Sequence, residues 1–240
     1  MACTWPSPQK ALSVLIAVLE QGYLPLLEKL TLTYRVSDRE LFSCLRAMGR
    51  VKSLNVQFTD FGSLAFSPLV PHFATLEKLQ WSNCAIVSGE MIQTVLESCP
   101  GLNDFSATKI EAVLIRKERP WMCLRLRMLV VCVVVEGRET EGQRQNVEEE
   151  DRACEQSRAV FGKLGQLTDL KELKIGVAQG QREPTHVQGL DLRLKSGLTQ
   201  LAGLRKLRVL DYTGTEQNMG VEDLDWMKTN LKQCESHGRW

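Results

Sequence analysis

One spacing governs this chain. The pattern L-x-x-L-x-L, with apolar residues at its three fixed positions, returns seven times in a single phase. It runs Leu27-Leu30-Leu32, Val51-Leu54-Val56, Leu76-Leu79-Trp81, Leu102-Phe105-Ala107, Leu126-Leu129-Val131, Leu170-Leu173-Ile175 and Leu207-Leu210-Tyr212. The middle residues lie at 30, 54, 79, 105, 129, 173 and 210, so the first four steps are 24, 25, 26 and 24 residues. One such match is worthless; seven in phase are a repeat. The alternation in L-x-L is the period of a strand buried on one face. The segments between carry helical spacing. Ser37-Asp38-Arg39-Glu40 reads as a capping box ahead of Leu41, Leu45 and Met48, and Met91, Val95, Leu96 and Cys99 follow the same spacing. A strand–helix unit of this size has an apolar face it cannot bury alone, so neighbours must stack to make the core.

A period of about 20–29 residues is that of leucine-rich repeats. The expected fold is therefore α/β: a leucine-rich-repeat solenoid, or horseshoe, with parallel strands on the concave face and helices on the convex face. Residues 1–240 are expected to form one such domain of about seven repeats. Composition agrees, because 35 of 240 residues are leucine while aromatics are only 6%, and leucines fill narrow repeat interiors well. At 43% hydrophobic the chain is too apolar for disorder. With 30 basic against 29 acidic residues it is too neutral to bind nucleic acid by bulk charge, so no nucleic-acid partner is expected.

The last two steps, 44 and 37 residues, break the period. Residues 136–158 hold eight acids and four arginines, and read as an acidic, solvated and mobile insertion. The functional alternative is an acidic docking loop. Residues 177–189, rich in Gln and Gly with Pro184, form a second loop insertion, expected on the same rim. At the start, Ser7-Pro8 resembles a helix N-cap with proline at the first helical position. The following helix carries Leu12, Val14, Leu15, Ile16, Val18 and Leu19, apolar nearly all round, so a partner or further repeats are expected on its N-terminal side. At the other end Val221, Leu224, Met227 and Leu231 mark an amphipathic capping helix.

The longest apolar runs, Ala11–Leu19 and Leu129–Val135, fall well short of the ~20 residues that cross a bilayer, so no membrane association is expected. Glu20-Gln21-Gly22-Tyr23 follows the first run with no small-x-small cleavage site. The eight cysteines form no CxxC pair and none of the six asparagines starts a glycosylation sequon, which points to a reducing compartment, cytoplasmic and/or nuclear. There is no HExxH, G-x-S-x-G, P-loop or G-x-G-x-x-G. The three histidines, His72, His186 and His237, lie in different repeats. No catalytic, metal-binding or cofactor-binding residue is therefore expected, and the chain reads as a non-enzyme. Cys84, Cys99 and Cys123 read as buried, reduced repeat cysteines.

The residues that alternate with the buried ones define the expected interaction surface. From successive strands these are Lys29 and Thr31; Asn55 and Gln57; Lys78 and Gln80; Asp104 and Ser106; Met128, Val130 and Cys132; Glu172 and Lys174; and Asp211. Most are small and polar. The fifth strand is the exception, because Met128, Val130 and Cys132 place an apolar stripe on an otherwise polar face. The plainer alternative is that the insertion beginning at Glu136 folds over them.

Cys99-Pro100-Gly101-Leu102, preceded by Ile92-Gln93-Thr94-Val95-Leu96, resembles the helix-C-P-x-L-x-x-L junction of ribonuclease-inhibitor-like repeats, as found in F-box/leucine-rich-repeat proteins. Leu79-x-Trp81-x-x-Cys84 is similar to their L-x-L-x-x-C form, and the stretch from Gly189 to Met227 resembles fungal F-box-like proteins. The resemblance covers roughly residues 24–233. It implies a substrate-recognition repeat region of an F-box-like ubiquitin-ligase receptor, with a target protein on the concave face. Only 23 residues precede Leu24, too few for an F-box, so a Skp-type adaptor is implied only if an F-box lies upstream in the native protein. Small-GTPase regulators of the RanGAP-like class share this repeat and give an alternative, as does a stand-alone scaffold.

Overall fold

The computed structural model describes residues 8–115, 118–135, 147–176, 189–215 and 217–238. Among these residues eight strands form one all-parallel sheet in sequence order: β1 (Lys29–Thr31), β2 (Ser53–Asn55), β3 (Lys78–Gln80), β4 (Asp104–Glu111), β5 (Met128–Val134), β6 (Glu172–Lys174), β7 (Val209–Asp211) and β8 (Glu235–His237). The register pairs Leu30, Leu54, Leu79, Phe105, Leu129, Leu173 and Leu210 in an unbroken line. These are the seven middle residues of the sequence pattern, all 5% exposed or less. An eighth strand, which the leucine pattern did not reveal, pairs Ser236 with Leu210 and is exposed throughout.

Among the described residues six α-helices accompany the sheet: α1 (Pro8–Glu20), α2 (Asp38–Ala47), α3 (Ser63–Leu69), α4 (Gly89–Ser98), α5 (Val147–Leu164) and α6 (Val221–Asn230). Among the described residues, short 3-10 turns at Ala112–Leu114, Leu194–Ser196 and Leu198–Gly203 stand between β4 and β5 and between β6 and β7. The capping box of α2 forms as the sequence predicts: the Glu40 backbone N–H donates to Ser37 Oγ at 3.4 Å, and the Ser37 N–H to Glu40 Oε2 at 2.9 Å. Helix α3 lacks a capping side chain of its own. Asp38, one repeat earlier, accepts from the backbone N–H groups of Gly62, Leu64 and Ala65 at 2.8, 3.1 and 2.9 Å. A Cβ at 62 would stand 2.8 Å from Asp38 Oδ2, so a larger residue there would push the capping carboxylate aside.

The core runs the length of the stack. Its bulkiest stretch centres on Trp81, fully buried, with ring centroids of Phe61 at 5.1 Å and Phe105 at 5.8 Å. Helix α1 buries Leu12 and Leu19 against this core but leaves Val14 63% exposed. At the far end α6 buries Met227 while Val221 is exposed. Ser7 lies outside the described residues.

The acidic segment divides. Residues 136–146 are outside the described residues, but 147–158 are not a loose insertion: they are the first part of α5. Its acids cluster in the first turn (Glu148, Glu149 and Glu150), where the helix dipole favours them. Its other face buries Ala153, Cys154, Ser157, Val160, Phe161 and Leu164. Counting charges hid this face, since the apolar residues are spread among polar ones. Of the second insertion, 177–188 lie outside the described residues.

Candidate functional site

The sheet ladder turns scattered sequence positions into two aligned rows. The first row reads Lys29, Ser53, Lys78, Asp104, Met128, Glu172, Val209. The second reads Thr31, Asn55, Gln80, Ser106, Val130, Lys174, Asp211. Neighbours within a row are about 4.8 Å apart, the spacing between strands. Most of these side chains are half-buried; Lys29 and Thr31 on the first strand are exposed, while Ser106 is 7% exposed. Gln57 lies just beyond β2, and its N–H donates to Asn55 Oδ1 at 3.4 Å.

Charge on this face is paired locally. Lys78 Nζ donates to Asp104 Oδ2 at 2.5 Å, and Gln80 Nε2 reaches Asp104 Oδ1 at 3.5 Å. The hydroxyls of Ser82 and Ser106 are in contact. On the other flank Lys174 Nζ lies 3.9 Å from Glu172 Oε2. Asp211 Oδ1 accepts from the Thr213 N–H at 2.9 Å. Between the two ion pairs stand Met128 and Val130, half-buried and apolar.

Cys132 does not belong with them. It is 5% exposed, so the expected three-residue stripe on the open face is a two-residue notch. The cause lies in β4 and β5, which extend beyond the other strands. Their register slips between Ser106 and Lys109, so Cys132 pairs with Lys109. Past that bulge the simple in–out alternation ends, and Val131, Cys132 and Val133 are buried in succession.

Cys84, Cys99 and Cys123 are buried as the sequence predicts. Burial pushes the Cys99 and Cys123 thiols up to about 12 and raises that of Cys84. They remain protonated at neutral pH, which suits packing and not nucleophilic attack. Among the described residues no group of three or more His, Cys, Asp or Glu side chains could hold a metal ion. Among them, too, no helix is long and apolar enough to cross a membrane.

No family model and no curated protein matches the chain. Among solved structures it is similar to internalin C2 from Listeria monocytogenes str. 4b F2365, at 13% identity over 100% of both chains with a TM-score of 0.49. A leucine-rich-repeat protein from Leptospira interrogans aligns over 86% of this chain and 75% of its own, at 11% identity and a TM-score of 0.22. The chain's own ladder decides its architecture. It is a leucine-rich-repeat solenoid.

The two rows follow the period-2 alternation of the sequence, apart from Cys132, which is buried, and Gln57, which lies beyond its strand. Sequence reasoning missed a second polar region. Asp191 is 2% exposed and accepts from Arg193 Nε at 2.8 Å and Nη2 at 2.6 Å, and from Ser196 Oγ at 2.5 Å. Arg193 Nη2 also lies 3.3 Å from Glu150 Oε1, which Lys195 contacts too. The Asp191 carboxylate holds the Arg193 guanidinium above its ordinary value, and Lys195 holds the Glu150 carboxyl below its own. This network ties α5 to the segment leading into Leu194–Gly203. No sequence signal marks it, because 43 residues separate Glu150 from Arg193.

Proposed function

We propose that this chain is a protein-binding repeat module that receives its partner on the concave sheet face. The observation that carries this reading is the Met128–Val130 notch framed by the Lys78–Asp104 and Glu172–Lys174 pairs. An apolar centre with a polar surround is how protein interfaces are built. The flanking charges set orientation and partner choice more than affinity.

In its specific form, we infer the substrate-recognition repeat region of an F-box-like ubiquitin-ligase receptor. This rests on the resemblance of the Cys99-Pro100-Gly101-Leu102 junction and the Leu79-x-Trp81-x-x-Cys84 form. The target would sit on the concave face, and ubiquitin transfer would belong to other subunits. Affinity purification of the native gene product, followed by mass spectrometry, tests both levels. Recovery of a Skp-type adaptor and a cullin supports the receptor role, and their absence counts against it. Partners that Val130→Asp releases support the concave face as the binding surface, while unchanged recovery with that variant removes it.

A further inference from the structure

The residue just before each of β1 to β7 lies on the edge where the strands begin: Glu28, Lys52, Glu77, Asn103, Arg127, Lys171 and Arg208. In the first repeats this edge is charge-balanced. Lys52 Nζ lies 2.7 Å from Glu28 Oε2 and Arg50 Nη1 lies 3.6 Å from Glu28 Oε1. In the last repeats it is not. Arg127, Lys171 and Arg208 follow one another, with Arg125, Arg205 and Lys206 beside them, all exposed. Backbone bonds fix the row: the Lys171 N–H donates to the Arg127 carbonyl and the Arg208 N–H to the Lys171 carbonyl, each at 2.8 Å.

One acid serves this cluster. Asp169 Oδ1 accepts from Lys206 Nζ at 2.5 Å, and Lys206 holds its carboxyl below the usual range, with Arg127 and Arg125 adding to the effect. Among the described residues the other five cations make no ion pair. Arg127, Asp169, Lys171, Arg205, Lys206 and Arg208, with Gln233, line a single cavity of about 340 Å³.

Like charges held one strand apart repel, and nothing in the fold of a solenoid requires them there. The first repeats use the same edge positions with opposite charges. The surplus is left open to a counter-charge from outside. We propose that this edge binds a small ligand carrying two or more phosphate groups. The cavity is the size of a small-molecule site, not a flat band fitted to a duplex. Its charge is dense: five cations face one concavity whose lone acid is already paired. Phosphate supplies up to two negative charges per group where a carboxylate supplies one. Arginine forks, here Arg127, Arg205 and Arg208, bind phosphate oxygens two at a time. This site is separate from the concave rows and stands whether or not those bind a protein.

The test is calorimetric titration of the full chain with sodium tripolyphosphate, inorganic phosphate and citrate at low salt. The expected result is one-to-one binding of tripolyphosphate, with phosphate and citrate each roughly tenfold or more weaker. Arg127→Glu with Arg208→Glu abolishes the heat, and the milder Arg127→Gln with Arg208→Gln weakens binding by roughly tenfold or more. Lys52→Glu, on the same edge of the first repeats, leaves it unchanged. Circular dichroism melts of the variants confirm that each is folded. Vesicles of phosphatidylcholine containing phosphatidylinositol bisphosphate distinguish the source of the phosphates. Co-sedimentation that tripolyphosphate reverses assigns a lipid headgroup, and its absence assigns a free ligand. Equal binding by the wild type and the double glutamate variant would overturn the proposal. So would citrate binding as tightly as tripolyphosphate, or a short DNA duplex binding more tightly than either.

Discussion

The stack is built in two ways. From β1 to β4 it advances by 24 to 26 residues per turn, packs aromatic rings around Trp81, and uses one half-buried carboxylate, Asp38, to cap the next repeat's helix. From β5 to β7 the steps lengthen to 44 and 37, the described residues between β6 and β7 form 3-10 turns, and a polar network centred on Asp191 holds the pieces together. Asp223 and Gln217 act in the same way there, accepting from the Leu194 and Leu192 N–H groups at 2.8 and 3.0 Å. Where the apolar period is regular, packing sets most of the geometry and a few capping side chains complete it. Where it lapses, backbone groups that have lost their regular partners must be satisfied by side chains. The first half therefore depends on volume and the second on charge.

That contrast can be broken by substitution. Trp81→Ala removes the ring that touches Phe61, Phe66 and Phe105, and is expected to cost about 3–5 kcal/mol in chemical denaturation. Asp191→Ala leaves the Arg193 guanidinium, itself 16% exposed, without its main partner, and is expected to cost about 3 kcal/mol. The two should differ in reach. Hydrogen exchange should show Asp191→Ala loosening α5 and residues 190–204 while residues 30–105 keep their protection. Equal loosening of both halves would mean that the network does not act locally.

Smaller effects sharpen the comparison. Phe58 and Asn83, each four residues after the middle leucine of its repeat, share a left-handed backbone with φ of 63° and 62°. Asparagine tolerates this and phenylalanine does not, and the Phe58 ring is 57% exposed. Phe58→Asn should therefore raise stability by about 1 kcal/mol, read as a higher melting temperature. His72, 7% exposed in the first half, has its pKa lowered by burial, so the folded state prefers it neutral. Its contribution is present above the unfolded value of about 6.5 and is lost as pH falls below that. Denaturant midpoints should decline from pH 7 toward 5.5, and His72→Gln should flatten that decline.

The fold was largely legible because one physical rule repeats. A leucine every 24 to 26 residues can be buried only by stacking, and the strands pair in the register that the leucine alignment requires. The two concave rows follow from the same alternation. Cys132 did not, because a bulge in β4 ends the alternation before it. Residues 147–158 did not, because a buried face of Ala153, Cys154 and Ser157 reads as polar sequence until it is wound into a helix. The Asp191 network and the basic edge are hard to see along the chain, since each gathers residues about 40 positions apart in sequence from neighbouring repeats onto one spot.

The open face around Val130 is the proposed binding surface, while the leucine core behind the sheet holds the fold. Quantitative mass spectrometry of partners recovered with wild type and Val130→Asp, paired with the melting temperature of each, tests it most directly. The account predicts loss of a defined set of partners with the melting temperature nearly unchanged, since Val130 is half-buried and its strand neighbours are Ser106 and Lys174. A large fall in melting temperature would show that Val130 belongs to the core, and full retention of partners would show that binding lies elsewhere.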